Sequence, residues 1–319
     1  MMKKIVSLLI ASLLLLGLLA SCAASGGDET TAPSPESTGD LTGETTAEET
    51  TKAEETTAEV TTKAEETTAE VTEAPKKLQY LSIGDSIAGG YGLSNARTER
   101  YSYLVAQSLG ADYVENNYGI DNYTSSQLLT LVKSGMVDFS NTGLITISIG
   151  ANNILIPGQQ VVPYLQSDAA AAYQLLQSDG FLGSLAAGVA QLAEDLPQII
   201  AELRALAPDA TIVLMTVYNP YKNAKYPIVI NGQAADFEIG GFCKPYVEQM
   251  NEIIKTVAAE TGCLVADVYT AFEESNDTLT NVTLNSGNYI TSSIDPHPNK
   301  KGHRLIAEVI EEQLISTEG

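Results

Sequence analysis

The stretch that decides the fold is residues 78–86, which read Leu-Gln-Tyr-Leu-Ser-Ile-Gly-Asp-Ser. Leu78 to Ile83 is a short apolar run of the kind that forms a buried strand. Similar runs recur along the chain at Leu144 to Ile149, Thr211 to Val217 and Leu264 to Val268, with a weaker one near Tyr113. Segments of helical period separate them: Phe181 to Leu206, Pro245 to Thr261 and Lys300 to Leu314. This alternation predicts an α/β fold with a parallel sheet covered on both faces.

Ligands of such sheets bind beyond the carboxyl ends of the strands, so polar residues at those ends are the candidates for chemistry. Four places qualify: Gly84-Asp85-Ser86, Gly119, Gly150-Ala151-Asn152-Asn153 and Asp295-Pro296-His297-Pro298. Each has a plain structural alternative. Asp, Ser and Asn cap helices and glycine forms turns, so no single block is decisive.

The chain has only two histidines, His297 and His303. His297 lies between two prolines and close to Asp295, which suits a base with an orienting partner. Six residues apart, the two histidines do not match the spacing of a helical or finger metal site. We therefore expect no metal, and we expect His303 to be structural.

The charge balance is 17 Lys and Arg against 40 Asp and Glu, a net charge of −23 over 319 residues. This disfavours binding to nucleic acid, which needs basic patches, and electrostatic attachment to anionic lipid. With 3 Cys, a disulfide-stapled mini-fold and a four-cysteine zinc site are excluded.

Residues 1–21 have the layout of a secretory signal peptide, with Lys3 and Lys4 ahead of an apolar run. The ending Leu19-Ala20-Ser21-Cys22 resembles the lipobox of bacterial lipoproteins. That resemblance implies export, cleavage before Cys22, and a lipid on Cys22 that anchors the protein to the cell membrane on its extracellular side. The alternative is an ordinary signal peptide or anchor with an incidental cysteine.

Residues 22–77 are rich in Thr, Glu and Ala. An eleven-residue period runs through Thr45 to Glu55 and Thr56 to Glu66, and Thr67 begins a third copy. Such a segment buries too little apolar surface to offset the entropy of ordering, so we expect a disordered acidic tether. Residues 78–319 form the predicted globular domain.

Taken in order, the four polar blocks resemble the SGNH family of GDSL-type esterases and lipases, which includes lysophospholipase L1-like hydrolases. The resemblance spans about residues 78 to 316. It implies a flavodoxin-like three-layer sandwich with a five-stranded parallel sheet and no cofactor. It further implies that Ser86 is the nucleophile and His297 its general base. The backbone N–H groups of Ser86 and Gly119 and the side chain of Asn152 would form the oxyanion hole.

The sequence departs from the family pattern at two positions. Family members commonly have an Asp three residues before the His, where this chain has Ile294. We expect Asp295 to orient His297, with a backbone carbonyl as the alternative. Family members also often have Asp after the oxyanion Asn, where this chain has Asn153, and we expect that position to be supportive.

Two stretches exceed what the sheet requires, Ile154 to Gly180 and Asn219 to Phe242. Their apolar content suits an acyl chain beside Ser86, although they could equally cover the core. We expect a monomeric serine esterase acting on lipid-like or short acyl esters. The alternatives are a polysaccharide O-deacetylase, an inactive surface binding module, and a tethered adhesive protein whose repeat is the functional part.

Cys243 and Cys263 flank the predicted helix from Pro245 to Thr261. A helix of that length separates its ends by roughly 25 Å, whereas a disulfide needs Cα atoms within about 7 Å. We therefore predict two free, mostly buried thiols.

Overall fold

The computed structural model describes residues 77–230, 233–283 and 293–316, apart from the side chains of residues 165–167, 226–230 and 233–235. The leader, Cys22 with its predicted lipid, and residues 22–76 of the predicted tether lie outside the described residues.

The described chain alternates strands and helices. The strands are β1 (Leu78–Gly84), β2 (Tyr113–Gly119), β3 (Thr142–Ser148), β4 (Thr211–Met215), β5 (Lys225–Ile230), β6 (Gln233–Glu238) and β7 (Leu264–Ala266). The helices are α1 (Ser86–Gly89), α2 (Ala96–Glu99), α3 (Tyr101–Leu109), α4 (Ser125–Lys133), α5 (Ala151–Gly158), α6 (Val162–Ser167), α7 (Ala169–Leu176), α8 (Asp179–Leu206), α9 (Ile239–Thr261), α10 (Val268–Glu274) and α11 (Lys300–Ser316). Two 3₁₀ turns, Gly110–Asp112 and Gln159–Val161, link neighbouring elements.

Five strands form one parallel sheet in the order β2-β1-β3-β4-β7. This is the doubly wound, flavodoxin-like order, in which the chain reverses direction across the sheet between β1 and β3. The predicted fold class is therefore confirmed. The strand ends differ by up to two residues from the apolar runs: β4 and β7 each stop two residues early.

Strand residues alternate between the two faces of the sheet, because successive side chains of a strand point to opposite sides. Leu81 and Ile83 of β1 pack into one core with the helices α4, α8 and α9. Tyr80 of β1 packs into the other core with α3, α10 and α11. Both faces are therefore covered, which gives the three predicted layers.

Helix α9 begins at Ile239, six residues before the predicted start at Pro245. Pro245 lies inside the helix, in its second turn, where it removes one backbone hydrogen bond. Cys243 is thus within the helix and Cys263 directly follows its Gly262 cap. Both cysteines are free, as predicted, but each is only half-buried.

The two additional stretches are ordered in different ways. Ile154 to Gly180 is mainly helical, running through α5, α6 and α7, and Asn219 to Phe242 contains the antiparallel pair β5 and β6. In the described part of the chain, no helix has the length and apolar character needed to cross a membrane.

Candidate active site

Ser86 is the first residue of α1, at the carboxyl end of β1. Gly84 makes this turn possible, because its φ is +132° and a β-carbon there would lie 2.0 Å from the carbonyl oxygen of Ser148. The N–H of a first helical residue has no partner within the helix. The tight turn therefore places both the hydroxyl and the backbone N–H of Ser86 at the sheet edge.

Asp85 is buried behind the serine and caps α1. Its Oδ1 accepts hydrogen bonds from the N–H of Ile87 at 3.0 Å and from the hydroxyl of Ser148 at 2.9 Å. Burial raises the pKa of the Asp85 carboxyl to about 7. Asp85 thus fixes the turn between β1, β3 and α1 without pointing at His297.

Gly119 lies against α1, where a β-carbon would come within 2.0 Å of the backbone nitrogen of Gly89. Its N–H donates to Oδ1 of Asn117 at 3.0 Å. The amide of Asn117 in turn donates to the carbonyl of Ala88 at 2.7 Å. In the structure the N–H of Gly119 is thus engaged by a neighbouring side chain, and its role as an oxyanion donor stays a prediction.

Asn152 and Asn153 are the second and third residues of α5, directly after β3 and Gly150. The amide of Asn152 donates one proton to the carbonyl of Tyr123 at 3.0 Å, which leaves its other proton for a ligand. The Asn152 side chain lines the same cavity as Ser86. The predicted donors from Ser86 and Asn152 are thus brought together.

Asn153 connects the start of α5 to α4 and α8 through its side-chain amide. Its Oδ1 accepts from the N–H of Ser125 at 3.0 Å, and its Nδ2 donates to the hydroxyl of Ser125 at 2.8 Å and to the carbonyl of Gly188 at 3.0 Å. The Ser125 hydroxyl continues to the buried carboxylate of Asp195 at 2.7 Å. An amide fits here because the position both accepts and donates, which a carboxylate cannot do.

His297 is presented by an irregular two-stranded ribbon. Thr283 pairs with Ser293, and the N–H of Asn281 donates to the carbonyl of His297 at 2.9 Å. Between these two contacts the first strand of the ribbon has one residue, 282, whereas the second strand has three, 294–296. The additional residues form an arch at 294–296, and a bulge of this kind changes the direction of the side chains that it carries.

Two tyrosine hydroxyls fasten this arch. Tyr221 donates to the carbonyl of Ile294 at 3.0 Å, and Tyr218 donates to the carbonyl of Pro296 at 2.8 Å. The carbonyls that the bulge removes from ladder pairing therefore have partners.

The arch brings Asp295 beside His297. Asp295 is only two positions before His297, whereas family members commonly have the Asp three positions before. Oδ1 of Asp295 accepts the backbone N–H of His297 at 3.1 Å and contacts Nδ1 of the same residue. Nε2 of His297 lies 2.9 Å from Oγ of Ser86. Because an ionised carboxylate only accepts, Nδ1 carries the proton and Nε2 accepts from the Ser86 hydroxyl.

An apolar cavity of about 40 Å³ opens beside these residues. Besides Ser86, Asn152 and His297, its walls come from α5, α9 and the segment after β4: Ile154, Leu155, Val217, Tyr221, Cys243 and Val247. Burial raises the pKa of the Cys243 thiol to about 12, so the thiol is neutral and inert near neutral pH. Both additional stretches thus contribute to the cavity, although Val161 and Phe237 pack on the core.

The model of the GDSL-like Lipase/Acylhydrolase family matches residues 82–305 of this chain, which include Ser86, Asn152 and His297. The chain belongs to this family. It is therefore a hydrolase that cleaves acyl esters. No curated protein sequence matches this GDSL-like hydrolase.

Solved structures with the same fold include hydrolases from several sources. Phospholipase A1 from Streptomyces albidoflavus NA297 is 18% identical, with a TM-score of 0.52, covering 74% of this chain and 99% of that one. The extracellular lipase of Streptomyces rimosus is 20% identical, with a TM-score of 0.51 and the same two coverages. The lipase Lip_vut3 from a goat rumen metagenome is 16% identical, with a TM-score of 0.52, covering 74% and 97%. At these sequence identities, the structural similarity supports the fold of this GDSL-like hydrolase and nothing more specific.

Several residues around the site gave no signal in the sequence. Ser148, Asn117, Tyr218, Tyr221 and Asn281 are polar residues that could occur in any strand or loop. Their hydrogen bonds exist only once β2, β3 and the ribbon are assembled. His303 is buried, and its Nδ1 accepts from the N–H of Tyr101 at 3.2 Å, so it belongs to the core of the domain and not to the site.

Proposed function

We propose that this hydrolase is a serine esterase in which Ser86 is the nucleophile, His297 the general base and Asp295 the residue that orients His297. The observation that carries the proposal is the 2.9 Å contact between Nε2 of His297 and Oγ of Ser86, with Nδ1 on Asp295. A serine hydroxyl becomes a useful nucleophile only when an adjacent base takes its proton.

The reaction follows from this arrangement. Nε2 of His297 takes the proton as Oγ of Ser86 attacks the ester carbonyl, and the imidazolium that forms is stabilised by Asp295. The oxygen of the tetrahedral intermediate accepts from the N–H of Ser86 and the free amide proton of Asn152. The imidazolium then protonates the leaving alcohol, and water, activated by the same His297, releases the acid from Ser86.

The third predicted oxyanion donor, the N–H of Gly119, is available only after a local rearrangement. The N–H of Gly119 reaches an ester oxygen only if Asn117 gives up its hydrogen bond. Two donors are enough for the mechanism, because donors of this kind act in small sets and each contributes on the order of 10²–10³ in rate.

The cavity supports a short acyl group as the substrate's acid part. Its volume of about 40 Å³ is a few times the roughly 10–15 Å³ that one water requires. The walls around it are mainly aliphatic or aromatic. We therefore propose a preference for acyl groups on the order of two to four carbons, the length such a space can enclose.

Acyl-chain profiling with p-nitrophenyl esters tests this preference. Two neighbouring residues of α5 provide a variant and its matched control. Leu155 is half-buried and lines the cavity, whereas its neighbour Ile156 is exposed and does not. We expect Leu155→Ala to extend the longest acyl chain that is hydrolysed efficiently, with Ile156→Ala retaining the wild-type profile. A wild type that prefers long chains, or a profile that ignores Leu155→Ala, contradicts the assignment of the cavity.

One observation favours the polysaccharide O-deacetylase as a second candidate. The ring of Tyr91 is half-exposed and its centroid lies 4.4 Å from that of the His297 imidazole. His297 protonates the leaving alcohol, so an aromatic face beside it suits an alcohol with a broad apolar surface, such as a sugar ring. A strict preference for acetate in the profile supports this candidate and excludes the lipid-like substrate.

Anchoring to the cell surface is a further part of the proposal and rests on the sequence alone. We propose that Cys22 carries a lipid, that residues 22–77 are the tether, and that the enzyme faces the extracellular side as a monomer. In a bacterial host, radiolabelled palmitate should label the full chain and not a Cys22→Ala variant. Equal labelling of the two, or none of the wild type, contradicts the anchor.

A further inference from the structure

We infer that Asn281 is a positioning residue of the active site, whose side-chain amide holds the Asp295 carboxylate and thereby sets the orientation and charge balance of His297. This inference rests on the proposed function for its effect on rate. The predicted effect of Asn281 on His297 does not depend on whether Ser86 is a nucleophile.

Asn281 contacts both members of the pair. Its backbone N–H donates to the carbonyl of His297 at 2.9 Å, and its Nδ2 donates to Oδ2 of Asp295 at 3.2 Å. Oδ1 of Asp295 already serves His297, so the two carboxylate oxygens have separate tasks. A carboxylate held at both oxygens cannot swing away from the imidazole.

The amide of Asn281 is itself confined by Gly92. The φ of Gly92 is +82°, and a β-carbon on it would lie 2.7 Å from Nδ2 of Asn281. Only glycine lets this loop approach so closely. The loop after α1 therefore packs against the amide on one side while Asp295 accepts from it.

This contact matters because the described residues make few other hydrogen bonds to the Asp295 carboxylate. The Asp295 side chain remains about a third exposed, at 31%. Within the described residues its side-chain oxygens contact only His297 and Asn281. Without Asn281, solvent would replace the donor to Oδ2 that the described part of the chain supplies, and the negative charge of the carboxylate would act more strongly on His297.

Other titratable groups face the pair and stay unchanged in the test. They are Asp85, Tyr91, Tyr218, Tyr221 and His303. Desolvation raises the pKa of Tyr218 well above its usual value, so that group stays neutral near neutral pH. Desolvation also lowers the pKa of His303 to about 3. Because the chain has only two histidines, the imidazole signals of His297 need to be distinguished only from those of the buried His303.

The experiment follows the imidazole signals of His297 by NMR across pH in the full chain and in two variants. Asn281→Ala removes the amide donor, and Asn281→Asp replaces it with an isosteric group that adds negative charge. Negative charge near the imidazole favours its protonated form. We expect the titration midpoint of His297 to move up by about half a pH unit or more in both variants, further in Asn281→Asp.

The rate should follow in the same direction. More imidazolium means less general base, so the acid limb of the kcat/KM profile should move to higher pH. At neutral pH we expect a loss of up to about 3-fold in kcat/KM for Asn281→Ala, because raising the midpoint of the base by about half a pH unit lowers its free-base fraction by at most that factor. Should Asn281→Asp not fold, Asn281→Ala alone carries the test, because its backbone bond to His297 remains.

Asn299→Ala is the matched control. The Asn299 amide binds the carbonyls of Thr278 and Thr280 in the same ribbon but does not touch Asp295. A purely structural role predicts that the Asn281 and Asn299 variants lower the unfolding temperature alike and leave the midpoint unmoved, which would overturn the inference. A midpoint that moves in a chain hydrolysing no ester supports the inference and contradicts the proposed function.

Discussion

Replacing Ser86 by alanine should lower kcat for an activated ester on the order of 10⁶-fold, the loss seen when a serine nucleophile of this type is removed. That corresponds to about 8 kcal/mol of transition-state stabilisation. The physical reason is that the covalent route through Oγ is closed, while the oxyanion donors and the acyl cavity remain. The measurement is steady-state hydrolysis of p-nitrophenyl acetate and butyrate by purified protein.

Ser94→Ala provides the control, because Ser94 is an exposed serine on the loop that follows α1. It should hydrolyse both esters at the wild-type rate. Thermal unfolding of both variants checks that the fold persists. If Ser86→Ala retains a rate within tenfold of wild type, the nucleophile lies elsewhere and the proposed mechanism fails.

Replacing Asp295 by alanine should lower kcat on the order of 10⁴-fold, the loss typical of the acid in a Ser-His-Asp arrangement. Oδ1 of Asp295 fixes both the ring and the backbone N–H of His297. Without it the imidazole can adopt the wrong tautomer and lose its aim at Ser86. The loss should fall on kcat far more than on KM, since Asp295 does not line the acyl cavity.

Asp277→Ala is the corresponding control. Asp277 is an exposed carboxylate paired with Lys301, before the strand of the ribbon that faces Asp295. We expect this variant to retain full activity. A loss of less than tenfold in Asp295→Ala would favour the alternative, in which a backbone carbonyl orients His297.

The sheet could be predicted from the sequence because its strands are continuous apolar runs. Leu81 and Ile83 face one core and Tyr80 the other, and burial on both sides leaves no polar face to interrupt the run. The weaker signal of β2 has the same origin: its residues are only partly buried, with Val114 exposed, because β2 lies at the sheet edge.

The meeting of Ser86 and His297 could be predicted because the resemblance to the SGNH family implies it, and the end of the β1 run already marked Ser86 as a candidate. How Asp295 reaches His297 could not. The arch at 294–296 arises from unequal spacing between two contacts of a ribbon, and nothing in residues 293–297 specifies which partner residues they meet. The same holds for Gly119, whose N–H is taken by Asn117 through a local turn that its sequence permits but does not require.

The start of α9 and the exposure of the two thiols also could not be predicted from the sequence. Pro245 is typical of a first helical turn, yet the turn before it is held by tertiary packing of Gly240 against the Tyr221 carbonyl. That contact is specific to the fold, and it extends α9 back to Ile239. The same extension places Cys243 in the wall of the cavity.

Labelling with a fluorophosphonate probe tests the central claim most directly, because the probe reacts only with a serine that a neighbouring base activates. The full chain is treated at neutral pH, and the adduct is located by peptide mass spectrometry. The account predicts one adduct, on Ser86, that is absent from Ser86→Ala and strongly reduced in His297→Ala. No adduct on the wild-type protein, or an adduct that persists in Ser86→Ala, would contradict it.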